Sequence, residues 1–188
     1  MSYESLAFSL CRKLDSAGIG YMLVGSFASN QYGIPRSTKD ADFVIDIATD
    51  KMRSLFEMLE PEWLMDSQIM FESITGSKKL EIRHRETEFL IELFFLSTDP
   101  HHQERWQRKV REIVGDERFW FPRAEDVIIQ KVRWGRAKDL EDVAAVISVQ
   151  AGRLDFAYIE KWCTEHGTLD RLKAIRAKLP ADLGGELS

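Results

Sequence analysis

Two aspartates one residue apart, Asp40 and Asp42, open the apolar run Phe43-Val44-Ile45. In a strand, residues i and i+2 point to the same face. The two carboxylates therefore stand side by side, roughly 6–7 Å apart along the chain. Like charges at that spacing repel unless a cation lies between them. Carboxylate oxygens suit Mg²⁺, which takes one or two carboxylates together with phosphate oxygens and water. A pair of such ions can hold both the attacking and the leaving oxygen of a phosphoryl transfer. The plainer reading makes the aspartates only the polar edge of a strand leaving a loop.

Glu92 is the single charge inside FLIELFFL, residues 89–96. A carboxylate in a buried strand is costly unless it is paired or liganded. If its strand lies beside the Asp40–Asp42 strand, Glu92 completes a cluster of three carboxylates. If the sheet is covered on one side only, Glu92 points outward. Its neighbours on both faces are apolar, so alternation leaves both readings open. Upstream, Gly25-Ser26 ends the apolar stretch Tyr21–Val24. Gly25 allows a sharp turn or a close backbone approach. Ser26 can cap a helix starting at Phe27. Free amides at such a helix start, with its dipole, form an anion site suited to a triphosphate.

The combination of Val24-Gly25-Ser26, a short helix, and Asp40-Ala41-Asp42-Phe43 resembles the nucleotidyltransferase superfamily related to DNA polymerase beta. Glu92 matches that family's third carboxylate on a later strand. Arg36-Ser37-Thr38-Lys39 resembles the R-x-T-x-D-x-D lead-in of its small bacterial members, which places Arg36 and Thr38 with the nucleotide. Further on, AEDVIIQKVRWGRAKDLEDV, residues 124–143, is similar to the helical region of AbiEii-like toxin nucleotidyltransferases, through Lys131, Arg136, Lys138, Asp139 and Asp142. The resemblance covers roughly residues 21–143. It implies transfer of NMP from an NTP with two Mg²⁺ ions on Asp40, Asp42 and Glu92, and β/γ phosphates on Gly25 and Ser26. It also implies an acceptor held by the C-terminal helices, with Glu92 helping to deprotonate it. In this block Lys131 could contact a phosphate, and Arg136 could neutralise charge as pyrophosphate leaves. Asp139 could orient Lys131 or the acceptor hydroxyl, and Asp142 reads as structural. Equally, all four could form an ordinary ion-pair network between two helices.

The elements that must position these residues follow from periodicity. Residues 4–17 read as a helix with Leu6, Leu10 and Leu14 on one face, stopped by Gly18 and Gly20. Strands follow at 21–24 and 41–47 around a short helix at 27–32, then a helix from 49 to 60 with Met52, Leu55, Phe56 and Leu59 on one face. Residues 68–74 and 79–85 read as a hairpin around Thr75-Gly76-Ser77. Leu80, Ile82 and His84 alternate there with Glu81, Arg83 and Arg85, so one face is wet. Residues 89–96 read as a central strand. A loop holding Pro100, His101 and His102 comes next, then a ribbon over 111–121. From Pro122 the pattern is helical: 122–134, 139–149, 155–166 and 169–179. The tail ADLGGELS is expected to fray. The whole is an α/β protein: a mixed β-sheet nucleotidyltransferase core over 1–115 with helices packed on it, and a C-terminal β-ribbon and helical region over 116–188.

Composition narrows the partners. The chain has 188 residues, 44% hydrophobic and 30% charged, enough for a real core. No apolar run approaches the roughly 18 residues of a membrane span, and the first residues lack the features of a signal peptide. Cys11 and Cys163, far apart, read as reduced and buried thiols, which with the rest points to the cytoplasm. A net charge of −5 argues against broad polyanion binding, although Arg105–Arg111 is a local basic stretch. The four histidines read as surface residues. The aromatics Trp106, Trp134 and Arg118–Phe121 read as core. The expected activity is that of a Mg-dependent nucleotidyltransferase acting on tRNA or protein, as a toxin with an antitoxin partner. An antibiotic-modifying enzyme, or an inactive binding or regulatory module on the same scaffold, are the alternatives.

Overall fold

The computed structural model describes residues 2–65 and 68–180, so the tail ADLGGELS lies outside them. The chain divides into two compact units. The first joins Met1–Phe27 to Ser37–Phe121, and the second joins Ala28–Arg36 to the residues from Pro122 onward.

The first unit is built on a mixed sheet. Its strands are β1 (Gly20–Leu23), β2 (Asp40–Asp46), β3 (Trp63–Met65), β4 (Met70–Phe71), β5 (Lys78–His84) and β6 (Leu90–Phe95), in the order β1-β2-β6-β5-β3 with β4 also paired to β5. β2 runs parallel to β6, and the other pairings are antiparallel. Tyr21, Phe43, Ile45, Leu80, Ile82, Ile91 and Leu93 are buried and alternate onto one face. Helix α1 (Tyr3–Ser16) covers that face with Leu6, Leu10, Cys11 and Leu14. It starts at Ser2, whose hydroxyl accepts from the Ser5 amide at 3.1 Å. Tyr21 donates from this face to Asp15 at the end of the helix, 3.1 Å away. A turn over Thr49–Lys51 leads to α3 (Met52–Leu59), which buries Leu55 and Leu59.

Within this unit, one end of the opposite face is covered. There Met22, Val24 and Val44 pack with Trp106, against Phe94 and Leu96. Trp106 sits on α4 (Pro100–Arg108), where a loop was expected. Asp99 caps this helix, accepting from the His102 amide at 3.1 Å, and Pro100 takes the first turn. The helix turns His101, His102 and Arg105 inward with Trp106. Three of the four histidines are therefore buried, against expectation: His101, His102 and also His84, which packs edge-on against Trp63 with ring centroids 5.1 Å apart. His102 meets the Ser97 hydroxyl at 2.6 Å. Polar residues next to proline read as a loop, but an Asp cap and an inward Trp make a helix of them.

Two further differences concern strands. Trp63–Met65 pairs with Ile82–His84, a strand the sequence reading missed behind Pro61. Of the expected strand over 68–74, only Met70 and Phe71 pair with β5. The ribbon is present as β7 (Val110–Val114) and β8 (Glu117–Phe121). It folds much of the basic stretch onto aromatic rings. The Lys109 ammonium lies 3.8 Å from the Trp106 ring centre, and the Arg111 guanidinium 4.9 Å from that of Trp120. Burial holds the Lys109 ammonium below its ordinary pKa, an effect Asp46 only partly offsets.

The second unit is helical: the Ala28–Tyr32 part of α2 (Gly25–Tyr32), then α5 (Ala124–Trp134), α6 (Ala137–Val149), α7 (Phe156–Glu165) and α8 (Leu169–Arg176). Val127, Ile128, Val132, Val143, Ile147, Ile159 and Leu172 form its apolar interior. Two buried tyrosine hydroxyls are paired. The Tyr158 hydroxyl donates to Asp126 at 2.8 Å, and that of Tyr32 to the Pro122 carbonyl at 2.8 Å. α5 ends at Gly135, whose φ of +70° closes the helix in the left-handed region. A side chain there would run into the Arg171 guanidinium, which donates to the Val132 carbonyl at 2.6 Å. Among the described residues no helix is long and apolar enough to cross a membrane.

Both cysteines are buried thiols. Burial pushes the Cys163 thiol up to about 11 and raises that of Cys11 still further. Thiolate is the reactive form. Ellman's reagent should therefore label neither cysteine in the native protein and both in urea; fast labelling of the native protein would contradict this packing.

Candidate active site

The other end of that second sheet face carries the acidic residues, each partly exposed. In the parallel pairing of β2 with β6, Asp42 stands directly opposite Glu92, and Asp40 opposite Leu90. Asp40, Asp42 and Glu92 thus share one face on adjacent strands. On the far side of Glu92, the antiparallel register places Glu81 of β5 opposite it. A row of three carboxylates, Asp42, Glu92 and Glu81, crosses three consecutive strands. All are partly exposed, whereas the residues between them in sequence, Ala41, Ile91, Leu80 and Ile82, are buried on the other face.

Two cations lie beside this row: Arg83, two residues after Glu81 and 3.5 Å from it, and Lys79, which spans two of the carboxylates. Lys79, two residues before Glu81 on the same face, places its ammonium on Glu92 and also on Glu81, 3.3 Å away. Burial lowers the Lys79 pKa, but the hydrogen bonds and charges of the two carboxylates outweigh it, so the ammonium is held above its ordinary value. Sequence reasoning placed Glu81 on a wet face and gave Lys79 no role. The signal was the i, i+2 spacing of Lys79 and Glu81, which needs the register with Glu92 to acquire meaning.

Asp42 engages the other side. Gly25 has φ +58°, and a Cβ built on it would lie 1.8 Å from Asp42 Oδ2. Only glycine lets the backbone lie against that carboxylate. The helix starts at Gly25, two residues earlier than expected, so Ser26 lies inside its first turn, buried. Val24 donates its amide to the Asp42 carbonyl at 2.8 Å, continuing the β1–β2 ladder to the edge of the turn. Thr38 donates its hydroxyl to Asp40 Oδ1 at 2.6 Å and so orients the first aspartate. As the side chains stand, no three His, Cys, Asp or Glu among the described residues converge on one metal position. Asp42 turns toward Gly25 and Glu92 toward Lys79.

The family model described as "Nucleotidyltransferase of unknown function (DUF6036)" matches residues 7–178. The chain belongs to this nucleotidyltransferase family. A search of curated proteins by sequence returned no significant match. Among solved structures, the fold is similar to an antigenic nucleotidyltransferase-like protein from Paracoccidioides brasiliensis, with TM-score 0.57, 19% identity, and 95% of this chain and 94% of that one covered. It is similar to ANT(2")-Ia in complex with adenylyl-2"-tobramycin, with TM-score 0.60, 12% identity, and coverages of 87% and 95%. It is also similar to the lincomycin-bound lincosamide antibiotic adenylyltransferase LnuA, with TM-score 0.53, 12% identity, and coverages of 78% and 97%. At these identities the likeness is one of fold.

The remaining candidate residues of this nucleotidyltransferase form a buried ionic network in its second unit. Arg36 grips Asp142 with two parallel bonds of 2.9 and 3.0 Å. Lys131 donates to Asp142 at 2.6 Å and to Asp139 at 3.2 Å. Arg136 donates to Asp139 at 2.6 and 3.2 Å. Lys131 and both aspartates are buried, while the Arg136 side chain is 56% exposed. Burial pushes the Asp142 carboxyl up, but the bonds and charges from Arg36 and Lys131 more than reverse this and hold it below its ordinary value. Arg36 is thus tied to an aspartate of α6, and of the three cations Lys131 is the most deeply enclosed.

Two outcomes are expected of this nucleotidyltransferase. Gly25→Ala should displace the Asp42 carboxylate and abolish nucleotide binding by isothermal calorimetry, while circular dichroism stays native; retained binding would show that the close approach is dispensable. Asp142→Asn should lower stability at pH 7 by roughly 3 kcal/mol, because Lys131 and Arg36 lose a buried counter-charge. A carboxyl held below its ordinary value contributes stability above that value and loses it as pH falls through its folded value. The urea-midpoint difference between wild type and variant should therefore persist to near pH 4 and shrink below it.

Proposed function

We infer that the protein transfers NMP from an NTP to an acceptor hydroxyl or phosphate on tRNA or protein, releasing pyrophosphate. The observation that carries this reading is the register of Asp42 with Glu92 on the second sheet face, with Asp40 two residues along and Gly25 pressed against Asp42. The donor set is all carboxylate oxygen, as a hard divalent cation requires. Asp40, Asp42 and Glu92 would hold Mg²⁺, two ions in the resemblance noted above. Bound there, Mg²⁺ would neutralise phosphate charge and polarise the phosphorus under attack. The backbone at Gly25 and Ser26 would cradle the β and γ phosphates at the start of α2. The acceptor oxygen attacks the α-phosphorus, the bond to the bridging oxygen of pyrophosphate breaks, and the acceptor proton passes to Glu92. In the second unit, Asp139 and Lys131 would position the exposed Arg136, the member of that network best able to meet an anion.

The acceptor class rests on the Lys131-to-Asp142 block and its likeness to AbiEii-like toxins, which also suggests a cytoplasmic toxin held by an antitoxin. A small-molecule acceptor is the second reading, favoured by the lincomycin and the adenylyl-2"-tobramycin bound in two of the similar structures. A non-catalytic module is a third, favoured by the neutralisation of Glu92 by Lys79.

Incubation with each α-³²P-labelled NTP, Mg²⁺, and total tRNA, cell protein, lincomycin or tobramycin separates these readings. Label should appear on a macromolecule, and Asp42→Asn should reduce it at least about a hundredfold without unfolding the protein. Label on the antibiotic alone would reverse the acceptor assignment. Absence of NTP binding, with Asp42→Asn behaving as wild type, would exclude the enzyme.

A further inference from the structure

The carboxylate face holds one feature that the proposed chemistry does not use. Lys79 is a cation placed among the acidic residues, and it pairs with Glu92, one of the three carboxylates read above as metal ligands. Its position follows from the sheet. β5 pairs antiparallel to β6, so that Lys79 stands opposite Phe94 and Glu81 opposite Glu92. Lys79 therefore reaches diagonally to Glu92 and back along its own strand to Glu81. The Phe94 ring, 5.9 Å from the ammonium, borders it on the sheet. The three side chains of the triad are only 17–22% exposed, so solvent does not fully screen them.

Two carboxylates directly opposite on neighbouring strands repel each other. Lys79 relieves that repulsion, and it does so from a position that can be given up one carboxylate at a time. Glu81 lies between Lys79 and Arg83, 3.3 and 3.5 Å away, so Lys79 would keep Glu81 as its partner were Glu92 to turn toward Asp42.

We propose that Lys79 is a positioning residue that acts as the resident counter-ion of Glu92 and hands its charge to Glu81 when a divalent cation draws Glu92 toward Asp40 and Asp42. This rests on the reading of those three residues as the metal ligands. A divalent cation must compete with Lys79 for Glu92, so Lys79 weakens metal binding and Glu81 restores part of the loss. The two neighbours of Glu92 therefore act with opposite sign, which no merely structural role for either would produce.

The test is titration of the full chain with Mn²⁺ alone, followed by electron paramagnetic resonance of the free ion. Lys79→Met should tighten Mn²⁺ binding about three- to tenfold, the range expected for removing a partly buried competing ion pair. Glu81→Gln should weaken it by a similar factor, because Lys79 is then left with Glu92 only. Lys79→Arg should return the affinity to near the wild-type value. Urea unfolding of each variant verifies that the sheet is intact. Glu92→Gln and Asp42→Asn serve as the reference. If both weaken Mn²⁺ binding while Lys79→Met leaves it unchanged or weaker, the counter-ion role is overturned and the metal assignment stands. If neither alters Mn²⁺ binding, the metal assignment itself falls and the role of Lys79 falls with it.

Discussion

The parallel pairing of β2 with β6 is the constraint on which the acidic face depends. Asp40 and Asp42 belong to one strand, Glu92 to another fifty positions after Asp42, and only the register Asp42 opposite Glu92 sets them abreast. A slip of one residue would send Glu92 into the α1-covered side, beside Phe43 and Ile45, and would turn Ile91 and Leu93 out onto the acidic face. There an unpaired carboxylate would be strongly unfavourable. The apolar residues that alternate with the acids therefore hold the site in register. Burial of Phe43, Ile45, Ile91 and Leu93 on one face is what keeps Asp42 and Glu92 on the other. Trp106 and its neighbours cover the far end of that second face, and the acids at the near end stay partly exposed.

Charge is handled differently in the two units. On the sheet, carboxylates lie close together at partial exposure, and Lys79 offsets them. In the helical unit, Arg36, Lys131, Arg136, Asp139 and Asp142 satisfy one another almost completely, with Asp139 fully enclosed. Such a network sets geometry more than it adds stability, since each buried ion has surrendered its hydration. Its one well-exposed member, Arg136, is held by a bidentate bond to a buried aspartate, which limits where its guanidinium can point.

Much of this was legible in the chain. The helix periods, the apolar strand containing Glu92, the i, i+2 aspartates and the turn glycine all follow from local rules, and the four C-terminal helices lie within a few residues of their expected limits. What local pattern misjudged were places where context overrides composition. His101, His102 and Arg105 are polar, yet α4 turns them inward beside Trp106. Trp63–Met65 is too short to announce itself, and becomes a strand because β5 offers it an edge. The basic stretch at Arg105–Arg111 has the charge of an anion-binding patch, yet much of it lies stacked on Trp106 and Trp120 or paired with Asp15.

Residue type and short spacing determined that Asp40 and Asp42 share a face, that a glycine ends the first strand before a helix, and that Glu92 is an anomaly needing a partner. Those are consequences of backbone period and of the cost of burying charge, and both act over a few residues. The identity of that partner was a tertiary decision. β2 stands on one side of Glu92 and β5 on the other, so Asp42 and Glu81 are both its neighbours. Its carboxylate rests with Lys79, a residue no local rule connects to it. Strand order comes from which apolar faces bury one another across long stretches of chain, and no spacing read along a single strand contains it.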